Sequence, residues 1–129
     1  MTNPIYDQLF GRHDDQAPPF LIQPDGSVIT HAAYLAEAAQ IALVLAGAVL
    51  NPGDRLAAQI HKSPLALALY AACAQAGVVF LPLNTAYTAS ELTYFIENSG
   101  ARMVVSDASA AAVLAPITTG LAAMVETLN

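Results

Sequence analysis

The stretch from Gly77 to Gly100 constrains the fold more than any other part of the chain. Val78-Val79-Phe80-Leu81 is a continuous apolar run, too short for a helix and rich in β-branched and aromatic residues. Such a run suits a strand covered on both faces, as in a parallel sheet. Pro82 brings no N–H to a ladder, so the strand ends or bends there. Asn84 to Tyr87 makes a turn. Thr88-Ala89-Ser90-Glu91 then has capping-box spacing: the Thr88 hydroxyl can accept from the Glu91 N–H while the Glu91 carboxylate accepts from the Thr88 N–H. Leu92, Phe95 and Ile96 share one face of the helix that follows. Gly100 is placed to stop it.

The remaining segments repeat this grammar. Pro4 to Gly11 predicts a short amphipathic helix with Ile5, Leu9 and Phe10 on one side, followed by a polar, proline-terminated loop to Pro19. Phe20-Leu21-Ile22 and Ser27-Val28-Ile29 flank an Asp25-Gly26 turn, a strong hairpin signal. Thr30 can cap a helix over roughly His31–Ala48, whose alanines permit close approach to a sheet. Asn51-Pro52-Gly53-Asp54 ends that segment, and Leu56–Ile60 reads as a strand. Ser63-Pro64 starts the next helix, with serine as cap and proline at its first position. It runs to about Ala76, where Gly77 stops it. Leu65, Leu67, Leu69, Tyr70 and Cys73 cover nearly all its sides, which predicts burial of both faces in the intact protein. Arg102–Ser106 reads as a strand, and Asp107 or Ser109 opens a last short helix limited by Pro116. Ile117 to Asn129 is indistinct, with a turn at Thr118-Thr119-Gly120 and a weak helical pattern over Leu121–Leu128.

Strands alternating with helices predict an α/β fold with a doubly wound, mostly parallel sheet and an N-terminal β-hairpin. The expected layout is one domain over 1–129. Residues 1–19 form a helix and loop, 20–29 the hairpin, 30–116 the alternating α/β part and 117–129 an indistinct tail.

Bulk composition sharpens this picture. Hydrophobic residues make up 56% of the chain and charged residues 11%, against about 25% charged in an ordinary globular chain. Either the chain enters a membrane or much of its surface is covered by something else. Pro64 to Leu83 is uncharged for twenty residues, long enough to span a bilayer. Pro64, Gln75, Gly77 and Pro82 divide it, however, and its character changes at Gly77 from Ala/Leu to Val/Phe. A buried helix followed by a buried strand explains both, so no membrane span is expected. A net charge of −6 gives no electrostatic footprint for nucleic acid. The single Cys73 excludes an internal disulfide and a cysteine-based zinc site, and it suits a reducing cytoplasm.

Candidate chemistry is sparse. There is no glycine-rich phosphate loop; Gly77 and Gly100 each have a capping explanation. No Gly-x-Ser-x-Gly elbow exists for a hydrolase triad. No metal is expected: His13, His31 and His61 lie far apart, and His13-Asp14-Asp15 reads better as a solvated loop than as a ligand cluster. In open α/β sheets, ligands bind outside the carboxyl ends of the strands. That edge should hold His61 to Ser63, Asn84 to Tyr87 and Ser106-Asp107. The strand-end candidates for substrate contact are therefore Lys62, Ser63, Asn84 and Thr85. Lys62 could meet an anion, helped by the helix N-terminus after Ser63. The competing view, favoured on the residues alone, is that Ser63 only caps and Lys62 is solvated. No residue is assigned as catalytic.

Several segments, in order, resemble the adenylate-forming acyl-CoA synthetases. Thr30-His31-Ala32-Ala33-Tyr34-Leu35 resembles the family's Thr-Tyr-Ala-Glu-Leu helix opening. Pro52-Gly53-Asp54-Arg55-Leu56-Ala57 resembles its Gly-Asp-Arg-Val-Ala strand entry, and Lys62-Ser63-Pro64 stands where Asn-Ser-Pro is usual. Ala76-Gly77-Val78-Val79-Phe80-Leu81-Pro82-Leu83-Asn84 is similar throughout, as is Ser99-Gly100-Ala101-Arg102 with Val104-Val105-Ser106-Asp107. The loop Leu83-Asn84-Thr85-Ala86-Tyr87-Thr88, with Glu91-Leu92, looks most like the malonyl-CoA synthetase branch. The resemblance implies the N-terminal piece of an enzyme that joins a carboxylic acid to coenzyme A through an acyl-adenylate, with ATP and magnesium. The acid would be malonate or another small acid, with a fatty acid also possible. The phosphate loop, adenylate-binding aspartates and catalytic lysine of that family belong downstream, so this piece is expected to bind no cofactor and catalyse nothing alone. Its expected partners are the remaining subdomains of the same enzyme. The alternative is a stand-alone interaction module that self-associates through apolar faces. Three positions depart from the family: His31 replaces Tyr, Ala33 replaces Glu, and Val49 stands where a helix-ending glycine is usual. A β-branched residue tolerates a left-handed cap poorly, so that corner should be built differently.

Overall fold

The computed structural model describes residues 3–13, 17–119, 121 and 123–128. The first helix, α1, spans Pro4–Leu9 and continues into a single 3-10 turn at Gly11–His13. Asn3 caps it, accepting from the Tyr6 N–H, and its side-chain amide donates to the Ala74 and Gln75 carbonyls at 2.7 and 3.2 Å. Of the three apolar residues expected on one buried side, only Phe10 packs inward, edge-on to the Tyr34 and Tyr70 rings. Ile5 and Leu9 are exposed.

β1 (Pro19–Ile22) and β2 (Val28–Thr30) form the antiparallel hairpin, with Leu21 opposite Ile29 and Ile22 opposite Val28. Its turn is fixed by the Asp25 carboxylate, which accepts from both the Ser27 N–H and hydroxyl, and by Gly26 at φ 86°. The Ser27 hydroxyl and amide together hold the Asp25 carboxyl below the usual carboxylate range.

The second sheet has four parallel strands in the order β4 (Val79–Pro82), β3 (Arg55–Gln59), β5 (Met103–Ser106), β6 (Met124–Thr127). Between them lie α3 (Pro64–Ala76), α4 (Ala89–Ser99) and α5 (Ala111–Thr118), while α2 (His31–Gly47) precedes β3. The two central strands carry the core on both faces, as the period-two rule requires. Leu56, Ala58, Met103 and Val105 pack with Leu35, Ala38, Leu45, Leu69 and Cys73 of α2 and α3. Ala57 and Val104, pointing the other way, pack with Leu92 and Ile96 of α4 and Leu114 of α5. Burying each of these large side chains contributes about 1.5–3 kcal/mol. The doubly wound α/β reading and the N-terminal hairpin are therefore the observed architecture. The uncharged stretch over 64–83 is α3 followed by β4, divided at Gly77, and among the described residues no helix is long and apolar enough to cross a membrane.

The expected caps are in place. The Thr30, Ser63 and Thr88 hydroxyls accept from the Ala33, Ala66 and Glu91 N–H groups, and Glu91 returns a bond from the Thr88 N–H at 2.7 Å. Gly77 and Gly100 end α3 and α4 in the left-handed region.

Several expectations are corrected. β4 is an outer strand, not one covered on both faces, and Val79 is half exposed. As expected, β4 ends at Pro82, and at no cost to the ladder. The Val79 and Leu83 N–H groups donate to the Asp54 and Ala58 carbonyls, and alternation turns the Pro82 nitrogen to the open edge. Pro116 lies within α5 rather than ending it. The Thr118 and Thr119 hydroxyls donate to the Leu114 and Ala115 carbonyls and hold the final turn together. Met124–Thr127, in the weakly helical pattern, is a strand paired in parallel with β5. The expected burial of both faces of α3 concerns the intact protein; in this chain α3 buries Ala68, Leu69, Ala72 and Cys73, and Leu67 and Tyr70 are exposed. Val49 takes φ 60° despite its branched Cβ.

Candidate functional site

The chain runs outward in both directions from β3: first to β4, with α3 on one face, then across to β5, with α4 on the other. The junction of β3 and β5 is thus the switch point at which open α/β sheets form a ligand crevice. Here that point is bridged. Asp107, just past β5, accepts from the His61 N–H at 3.1 Å, and its carboxylate also meets the His61 ring just past β3. On the other side of β3 the Gln59 amide donates to the Asn84 carbonyl at 3.1 Å. These bonds tie the carboxyl ends of three strands together.

The open space lies beside them. A cleft of about 580 Å³ sits between the hairpin, the first turns of α3 and the ends of β3 and β4. Leu21, Ile22, Leu67, Tyr70, Phe80 and Leu83 supply most of its wall, with His61, Lys62 and Ser63 at the rim. Of the four strand-end candidates, Lys62 and Ser63 line this cleft, whereas Asn84 and Thr85 do not. Ser63 is occupied as the cap of α3. Asn84 is occupied as well: its side-chain oxygen accepts from the Ala86 N–H at 2.9 Å and fixes the loop turn. Thr85 is exposed. Lys62 is exposed too and makes no hydrogen bond or ion pair with any described residue. The candidates therefore do not converge on one point.

Sequence reasoning placed this edge correctly but missed the hairpin's part in the cleft and the His61–Asp107 bridge. The placement of both residues after strands was the available signal. Of the His13-Asp14-Asp15 loop, Asp14 and Asp15 lie outside the described residues. Among the described residues no three His, Cys, Asp or Glu side chains are grouped to hold a metal ion. Cys73 is enclosed in the core, and burial pushes its thiol up to about 12, far from a reactive thiolate.

A sequence model of the family described as "AMP-binding enzyme" matches residues 10–127. The chain belongs to this family. It is 32% identical over 99 residues to a feruloyl-CoA synthase from Amycolatopsis sp, covering 77% of this chain and 20% of that protein. It is 31% identical to the fatty acid–[acyl-carrier-protein] ligase ScoC of Streptomyces coeruleorubidus, over 72% of this chain and 18% of the relative. Among solved structures, apo MatB from Rhodopseudomonas palustris superposes with a TM-score of 0.92 at 42% identity, covering 99% of this chain and 26% of MatB. A benzoate CoA ligase from Burkholderia xenovorans LB400 shares the fold, with a TM-score of 0.85 at 18% identity. The chain thus corresponds to the N-terminal part of these enzymes and spans only a fifth to a quarter of their length.

Proposed function

We propose that the chain is the N-terminal subdomain of an ATP-dependent carboxylic acid–CoA ligase, which forms an acyl-adenylate and then a thioester. Malonate or another small carboxylic acid is its substrate. The observation that carries this reading is the 42% identity to MatB across nearly the whole chain, joined to the Leu83-Asn84-Thr85-Ala86-Tyr87-Thr88 loop of the malonyl-CoA synthetase branch. In this reading the chain supplies scaffold. ATP, magnesium and coenzyme A are held by the other parts of the enzyme. Of the strand-end residues, Lys62 and Thr85 alone keep side-chain groups free for a neighbour. The single buried Cys73 suits a reducing cytoplasm.

Acyl-adenylate formation is reversible, so the intact protein should exchange labelled pyrophosphate into ATP when malonate is present. Exchange supported by ferulate, benzoate or long-chain acids but not by malonate overturns the substrate. Exchange with no acid at all overturns the ligase reading.

A further inference from the structure

The tip of the hairpin carries a peptide bond of a kind found nowhere else in the chain. Asp25-Gly26 is the only place where an aspartate or asparagine is followed by glycine. A glycine nitrogen has no neighbouring Cβ to hinder its approach to the preceding side chain. Both residues are exposed, and a Cβ added to Gly26 would meet nothing within 4 Å, so water reaches the bond. The folded turn nevertheless holds both reacting groups. Asp25 Oδ1 accepts from the Ser27 N–H at 2.9 Å and from the Ser27 hydroxyl at 2.6 Å. That hydroxyl is itself fixed by the Gln23 amide, which donates to it at 2.8 Å. The Gly26 N–H donates to the Gln23 carbonyl at 2.9 Å. The Ser27 hydroxyl first, and its N–H second, favour the ionised form and keep the Asp25 carboxyl below the usual carboxylate range.

We propose that Asp25 is a site of spontaneous conversion to isoaspartate and that Ser27 is the residue that restrains it. The step needs no cofactor. The Gly26 nitrogen attacks Cγ of the neutral Asp25 carboxyl and loses its proton. A C–N bond forms, the carboxyl C–OH bond breaks, and water leaves as the five-membered succinimide closes. Water then adds back to the ring. Opening at the Asp25 main-chain carbonyl leaves Gly26 joined to Cγ, which is isoaspartate; opening at Cγ restores aspartate. An ionised carboxylate has no hydroxyl to lose, so a neighbour that keeps Asp25 ionised slows the reaction, and Ser27 does this while holding Oδ1 in the turn. Isoaspartate lengthens the main chain by a methylene at the turn that sets the hairpin register. Leu21, Ile22, Gln23 and Pro24 line the cleft, so the change reaches its wall. Neither ATP nor an acid substrate takes part, and the chemistry is the same whichever acid the enzyme activates.

The test ages the intact protein in neutral buffer near body temperature and maps its peptides for isoaspartate by electron-transfer fragmentation. Isoaspartate should accumulate at residue 25 ahead of every other aspartate and asparagine of the chain. Ser27→Ala should raise the rate roughly threefold or more, because a charge-assisted bond to the carboxylate is lost. It should also move the falling limb of the rate–pH profile to higher pH, since the carboxyl then ionises less readily. Ser27→Thr keeps the hydroxyl and should retain the rate and profile of the unsubstituted protein. Conversion at residue 25 no faster than at the other sites overturns the proposal, as does an unchanged rate in Ser27→Ala. Acceleration in Ser27→Ala with an unmoved pH limb overturns it as well, because the serine would then act only by holding the turn in shape.

Discussion

Two corners of the molecule have the same backbone and different residues. α3 enters β4 through Gly77 at φ 72°, with the Gly77 N–H donating to the Ala74 carbonyl and the Val78 N–H to the Cys73 carbonyl. α2 leaves toward β3 through Val49 at φ 60°, with the Val49 N–H donating to Ala46 and the Leu50 N–H to Leu45. Both are complete left-handed helix stops of the Schellman type. Each is followed by a buried apolar residue, Val78 in one and Leu50 in the other. The corners also touch: the Gly53 N–H donates to the Gly77 carbonyl at 2.9 Å. Glycine adopts this conformation freely, whereas an L-residue meets a cost of about 1–2 kcal/mol. Burying Leu50 contributes about 1.5–3 kcal/mol, so the core outweighs the strain and Val49 is carried into place. A local preference has yielded to packing.

Substitutions can break or sharpen this contrast, each read by the urea midpoint of unfolding. The largest effect is expected from Gly77→Ala. It adds left-handed strain, and the new Cβ would stand 3.2 Å from the Pro52 Cβ, so a loss of about 2–3 kcal/mol follows. Gly100→Ala has the same strain but nothing nearer than the Arg55 guanidinium at 4.0 Å, and should lose only about 1–2 kcal/mol. Equal losses at the two sites would show that the Pro52 contact contributes nothing. Val49→Gly should stabilise. Its side chain is exposed, and relief of strain exceeds the entropy that glycine adds to the unfolded chain, leaving a gain of about 0.5–1 kcal/mol. A loss there would mean that Val49 is not strained. Gly47→Ala, in the last turn of α2 with nothing within 4 Å of the added Cβ, should gain about 0.5–1 kcal/mol. The smallest effect belongs to the other end of α2. Thr30 caps Ala33, but alanine cannot return the second bond that Glu91 makes to Thr88. Ala33→Glu should restore it and add about 0.3–0.5 kcal/mol.

The residues that were legible are those whose reasons lie within four positions. Thr30, Ser63 and Thr88 start helices because a hydroxyl there reaches the N–H three residues on. Gly77 and Gly100 end them because only glycine enters the left-handed region without strain. The hairpin was legible from Asp25-Gly26, and the strand-end location of Lys62, Ser63, Asn84 and Thr85 followed from the alternation of strands and helices. The local engagement of Ser63 as a cap was legible too. What Asn84 and Lys62 face was not: the Asn84 side-chain oxygen accepts from the Ala86 N–H, and Lys62 shares a cleft with a hairpin about forty residues earlier in the chain.

By itself the sequence determined the kinds of elements, most of their ends and the family, since capping, turns and ordered motifs are short-range patterns. The tertiary structure alone decided three things. It put β4 at the edge, because strand order depends on which crossover passes over β3. It made Met124–Thr127 a strand, because that segment has only weak intrinsic preference and takes its conformation from the β5 edge it pairs with. It held Val49 left-handed, because burial of Leu50 outweighs the preference of a branched side chain. In each case the deciding interaction joins residues brought together only by folding.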